Sequence, residues 1–321
     1  MPPHSETDSR TLAKVSALYY LRGQTQQAIA DRLRVSRPTV SRMIQEARKR
    51  GIVQITIAHV DGLSAELEGE LEETFGLREA VVADVSPDTS EAELRTQLGA
   101  AAADFLNRML EPGAVVGLTW GGTLREMVKA VAPRRTDGVT IVQTLGGVGP
   151  PLAEAHAADL PRRLAGSLGA DLRLIQAPGI VASPDVRQVL ASDPQIRSTL
   201  DALGSLSIAF VGIGALDTNP VLGEGELASE VDLPEGLMEE LAALGAVGDM
   251  ALRFFDAEGA PVRTSLDDRI IGVDLETLAE VDCVVGVAGG AAKVAVIRAA
   301  LRGGLLDVLV TDDHTARALL T

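Results

Sequence analysis

Apolar residues recur at helical spacing through the first fifty positions, in three short groups. Leu12, Val15, Leu18 and Tyr19 form the inward face of one helix, which Gly23 ends. Ile29, Ala30 and Leu33 mark the face of a second, and Val40, Met43 and Ile44 that of a third. Only "RVS" separates the last two, which leaves room for a tight turn. Ser36 is an N-cap type, and Pro38 falls in the first turn, where a missing N–H costs little. The pattern predicts a helix-turn-helix. Arg34 stands in the turn where glycine is usual; a left-handed backbone there costs about 1 kcal/mol, which is tolerable. Beyond it, "IVQITIA" (52–58) predicts a strand. Leu63, Leu67, Leu71 and Phe75, four apart, predict an amphipathic connecting helix within 61–78.

From residue 80 the period changes. Apolar runs at 80–84, 114–120, 139–145, 172–178, 206–214, 283–289 and 306–312 read as strands. Helical segments at 91–110, 122–132, 155–168, 184–203, 235–244 and 291–302 lie between most of them. Strands apolar on both faces that alternate with helices predict an α/β fold: a doubly wound, mostly parallel sheet. The stretch 246–263 breaks this rhythm and reads as an antiparallel hairpin insertion. The organisation expected is an all-α DNA-binding domain over 1–60 and an effector-binding and oligomerisation domain over 61–321.

Charge sharpens that division. The 321 residues carry a formal charge of -16, yet residues 1–60 hold ten Lys or Arg against four Asp or Glu. The remaining chain holds nineteen against forty-one. A basic module on an acidic body suits a polyanion at one end only. No apolar run reaches the ~20 residues that a membrane helix needs. One cysteine, Cys283, excludes a disulfide framework, and the four histidines are too scattered for a metal site. Aromatic residues are 2% of the chain, which argues against stacking on single strands. The expectation is a cytoplasmic protein with no membrane partner, no metal and no cofactor.

Ser36, Arg37, Thr39, Ser41 and Arg42 supply hydroxyls and guanidinium groups suited to phosphates and base edges of double-stranded DNA. Gln26 and Gln27 open the preceding helix and join that contact set. A purely structural helical hairpin is the alternative. Farther on, "GLTWGGTL", "VQTLGGVG" and "GVAGGAAK" put glycine pairs at three strand ends, the edge of a parallel sheet where ligands bind. Backbone amides at Gly121, Gly122, Gly146, Gly147, Gly289 and Gly290, with the Thr123 hydroxyl and the Lys293 cation, suit an anion such as a phosphate. Tight packing explains any one glycine pair equally well.

These segments, together with "GAVGDMALRFFDAEGAPV" and "AGGAAKVAVIRAALRGGLLDVLVTDDHTARALL", resemble the SorC-type sugar-binding transcriptional regulators along nearly the whole chain. The resemblance implies an effector domain like the sugar-phosphate isomerases, a phosphorylated sugar at the strand ends, and a homo-oligomer, dimer or tetramer, on operator DNA. It also implies that Gly121 to Thr123 cradle phosphate, that Gly146 and Gly147 form a second loop, that Asp249 faces sugar hydroxyls, and that Lys293 contacts the ligand. Leu145 departs from the pattern, since relatives can carry a basic residue there. No enzymatic activity is expected; the alternative is an isomerase- or deaminase-like enzyme fused to a DNA-binding module, with Asp249 as its one obvious acid or base.

Overall fold

The computed structural model of the protein describes residues 9–53, 64–148, 151–219, 221–222 and 231–321, with backbone alone for 151–157. The chain divides into two compact units, Met1–Val60 and Asp61–Thr321.

In the first unit, α1 (Ser9–Ser16) widens into a π-helical turn over Ala17–Leu21, and α2 (Gln26–Leu33) and α3 (Arg37–Lys49) follow. Val15, Leu18, Ile29, Ala30, Val40 and Ile44 form the core between them. The caps are those that the residue types favour. Thr25 accepts from the amide of Ala28, and Ser36 from that of Thr39. Arg34 is left-handed (φ 54°, ψ 44°), so the turn has the glycine-like geometry without the glycine. Most of the strand expected over 52–58 lies outside the described residues, as do Leu63, His4, His59 and the His156 side chain.

The second unit is built on a seven-stranded sheet with order β1-β11-β10-β5-β2-β3-β4, every pair parallel. Its strands are β1 (Glu79–Ala83), β2 (Val115–Leu118), β3 (Thr140–Gln143), β4 (Asp171–Arg173), β5 (Ile208–Gly212), β10 (Val284–Val287) and β11 (Val308–Asp312). Successive residues of a strand face opposite sides, and the cores follow suit. Ile208 and Phe210 pack with helices α5 (Glu91–Met109), α6 (Gly122–Ala130) and α7 (Pro151–Leu168). Ala209 and Val211 pack on the other face with α4 (Ala65–Phe75), α9 (Pro194–Leu203), α12 (Val294–Arg302) and α13 (Asp313–Leu320). Helices α8 (Pro184–Ser192), α10 (Leu237–Ala243) and α11 (Leu275–Ala279) complete the α-helices described.

The insertion is larger than a hairpin. β6 (Gly214–Ala215), β7 (Ala246–Met250), β8 (Arg253–Asp256) and β9 (Pro261–Val262) form a separate antiparallel sheet. Two other expectations are corrected. The helix expected over 184–203 is two helices, because Asp193 caps a new one at Pro194. The strand expected over 172–178 shrinks to Asp171–Arg173, all three residues exposed. At the opposite edge the outward amides of β1 do not face water. Glu72 accepts from the Ala80 amide at 2.9 Å and Glu68 from that of Val82 at 3.0 Å, so helix α4 closes this side of the sheet.

Candidate functional site

The order of strands reverses between β2 and β5, which are neighbours: from β2 the chain winds outward to β3 and β4, and it returns at β5. Ligands of open parallel sheets sit beyond the carboxyl ends of strands at such a point. A cavity of about 610 Å³ opens there, lined by Thr119 to Thr123 after β2 and by Gly212 to Gly214 from the end of β5 onward. Asn219, Asp249, Ala251, Leu252 and Lys293 reach it from the second half of the chain.

One wall is a helix start. Gly121 caps α6 at φ 148°, a conformation open to glycine, and the first amides of the helix have no partner within it. Thr123 lies in that first turn and lines the cavity. The Lys293 ammonium donates to the Ile213 carbonyl at 2.8 Å, which leaves two of its three hydrogens for other acceptors. Burial lowers its pKa, while the charge of Asp249 pulls it back up.

The other wall is acidic and buried. Asp249 accepts from the Asn219 side-chain amide at 2.7 Å and from the Leu252 amide at 3.0 Å. Burial pushes its carboxyl up to about 6, against the pull of those two bonds and of Lys293. Its partner across the β6–β7 pair is Gly214, where a Cβ would stand 2.2 Å from the carboxylate. Glycine is therefore required for Asp249 to be seated. The turn that follows is strained. Met250 pairs with Arg253, so Ala251 and Leu252 form a two-residue hairpin loop, and both have positive φ (54° and 62°). Asn-Gly is the usual choice for such a loop. Strain of this kind collects where a site holds its shape, and here the Asp249–Leu252 bond closes the turn.

Four of the glycines expected to face a ligand, Gly146, Gly147, Gly289 and Gly290, do not line the cavity. The amides of Gly146 and Gly147 donate to the Ile271 and Ala177 carbonyls. A Cβ on Gly146 would meet the Ala177 oxygen at 2.6 Å, so close backbone packing accounts for this pair. Gly290 donates to the Asp312 carboxylate and the Thr315 hydroxyl, and Asp312 also caps α13. The "AGG" turn is thereby pinned to the last helix and sets up the approach of Lys293. Residues that spacing did not single out include Glu91, Arg95, Arg125, Asp159 and Asn219. They come from helices and loops with no local signal of their own. Among the described residues no cluster of three or more His, Cys, Asp or Glu offers a metal site, and no helix is long and apolar enough to cross a membrane.

In the first unit, Arg37 and Arg42 are exposed on α3 and Thr39 and Ser41 are half-buried beside them. Ser36 is occupied by its cap and by the Thr39 hydroxyl at 2.8 Å. Gln27 donates to Asp31 within its own helix, and Gln26 is half-buried. Exposed Gln45, three residues beyond Arg42, extends the same face.

The family model Sugar-bind, a sugar-binding domain, matches residues 62–321, and a homeodomain-like model matches residues 8–55. A deoxyribonucleoside regulator of Bacillus subtilis is 33% identical over 96% of this chain and 96% of its own length. The sorbitol operon regulator of Klebsiella pneumoniae is 31% identical over 98% of each. The full-length crystal structure of that regulator, SorC, superimposes with a TM-score of 0.73 over 98% of this chain and 99% of its own.

Proposed function

The chain belongs to the family of SorC-type sugar-binding transcriptional regulators, and from that premise we propose that a phosphorylated sugar in the cavity controls its binding to operator DNA. The observation that carries this is the mixed lining of the cavity. One set of groups is helix amides, the Thr123 hydroxyl and the Lys293 cation; the other is a buried carboxylate and an amide. A phosphate suits the first and is repelled by the second, whereas sugar hydroxyls donate well to Asp249. Gly121, Gly122, Thr123 and Lys293 then hold the phosphate, and Asp249 with Asn219 reads the sugar. Gly146, Gly147, Gly289 and Gly290 support the walls. Since its proposed partner is DNA, the protein works in the cytoplasm.

Arg37, Thr39, Ser41 and Arg42 form the proposed DNA-reading face, with Gln26 and Gln27 at its flank. Arg42→Ala is expected to cost about 1–3 kcal/mol of operator binding if Arg42 reads a guanine, with preference relaxed at that base alone. Operator titration checks this, and full retention of affinity sinks the assignment.

A thermal-shift panel of pentose and hexose phosphates beside their free sugars tests the effector. A ligand at 100 times its Kd adds about 2.7 kcal/mol of stability, so the right compound is conspicuous. No shift with any phosphate would overturn the proposal. We propose regulation, not turnover. The rival enzymatic reading rests on Asp249 and Lys293, the cavity groups with perturbed pKa values, and unchanged NMR spectra of the panel after long incubation would dispose of it.

A further inference from the structure

Arg95 stands in the second turn of α5, a helix that covers one face of the sheet, yet its guanidinium lies at the cavity. It rests against the first turn of α6. A Cβ added to Gly122 would meet its Cδ at 3.1 Å, its Nε at 3.8 Å and its Nη1 at 3.9 Å. Among the described residues its one ion pair is with Glu91, four residues back, at 3.4 Å. That is a long bond to a side chain 81% exposed, and among the described residues it engages only one of the five guanidinium hydrogens.

This is an unfavourable place for a cation without an anion beside it. The start of a helix carries partial positive charge, so Arg95 faces the wrong end of α6. Lys293 is near enough to feel both Arg95 and Glu91. Lys293, Arg95 and the helix start thus converge, with Arg125 also at the cavity; the carboxylates there are Glu91 in water, Asp159, paired with Arg163, and Asp249, already tied to Asn219 and Leu252. An anion between them reverses the balance, and a planar fork of donors matches phosphate oxygens.

We infer that Arg95 is a phosphate-binding residue that makes the site selective for the phosphorylated form of the sugar, with Glu91 as an internal competitor for its guanidinium. This rests on the cavity being an effector site. The chemical class required is a phosphomonoester dianion. As the ligand enters, Arg95 exchanges its weak bond to Glu91 for bonds to the phosphate, and Glu91 is released to water.

The test uses the full chain and its single tryptophan, Trp120, which lines the cavity and reports binding by fluorescence. The probes are ribose 5-phosphate, glucose 6-phosphate, inorganic phosphate, ribose and glucose. Arg95→Ala is expected to weaken the phosphorylated probe about tenfold or more and the free sugar less than about twofold, with a melting temperature without ligand that is not lowered. Arg95→Lys should recover part of the loss, and Glu91→Gln should bind the phosphorylated probe more tightly than the parent. Equal losses for phosphorylated and free sugar would reduce Arg95 to a shaping role and overturn the inference, as would no loss at all. A parent protein that binds none of the five probes would instead overturn the reading of the cavity, a separate and distinguishable failure.

Discussion

Asp249 illustrates how a binding residue detracts from the stability of the fold that holds it. Its carboxyl rises from an ordinary value of 3.8 to about 6 because it is buried, so the folded chain binds a proton more tightly than the unfolded one. The stabilisation that follows is complete below pH 4 and is lost as pH rises through 6. It amounts to roughly 3 kcal/mol. The melting temperature of the parent minus that of Asp249→Asn should therefore fall between pH 4 and pH 7, and a flat difference would refute the argument. Sugar binding should move the other way, strengthening over the same interval as the carboxylate forms. Neither behaviour was legible in the sequence. "GAVGDM" marks Asp249 as noteworthy, but its partners Asn219 and Lys293 lie 30 residues before it and 44 after it, and burial arises only when β6 and β7 pair.

Single elements were easier to read than the way they meet. Helix α3 follows from Ser36, Pro38 and the spacing of Val40 and Ile44, and its cap forms as the residue types require. Ser36→Ala should cost about 1 kcal/mol of stability, measured by urea unfolding of the full chain and expected in the transition of the first unit. Arg34→Gly should act in the opposite sense, by up to about 1 kcal/mol, since it relieves a left-handed residue. The glycine pairs show where local reading stops. "WGGT" and "LGGV" look alike in sequence, yet only the glycines of the first line the cavity, because those of the second donate their amides to Ala177 and Ile271. Those acceptors lie 30 and 125 residues downstream, and no spacing within the loop announces them. Arg95 was hidden for the same reason, on a helix whose regular pattern explains it fully as a cover for the sheet.

At the scale of the whole molecule, one recognition helix covers only a few base pairs, so useful specificity calls for two half-sites about 34–36 Å apart or a multiple of that. The functional species should be a dimer or larger, and sedimentation at micromolar concentration, free and on operator DNA, checks it; a monomer in both would contradict it. The two borders of the large sheet bear on how copies of this protein meet. Strands add to a sheet where amides are unpaired. The border at β1 is closed by Glu68 and Glu72, whereas the border at β4 is three exposed residues long. Two molecules joined β4 to β4 would present only closed borders outward, so association by this route terminates at a pair. A chain with Glu68→Ala and Glu72→Ala loses both of these acceptors and leaves the Ala80 and Val82 amides at that border without them.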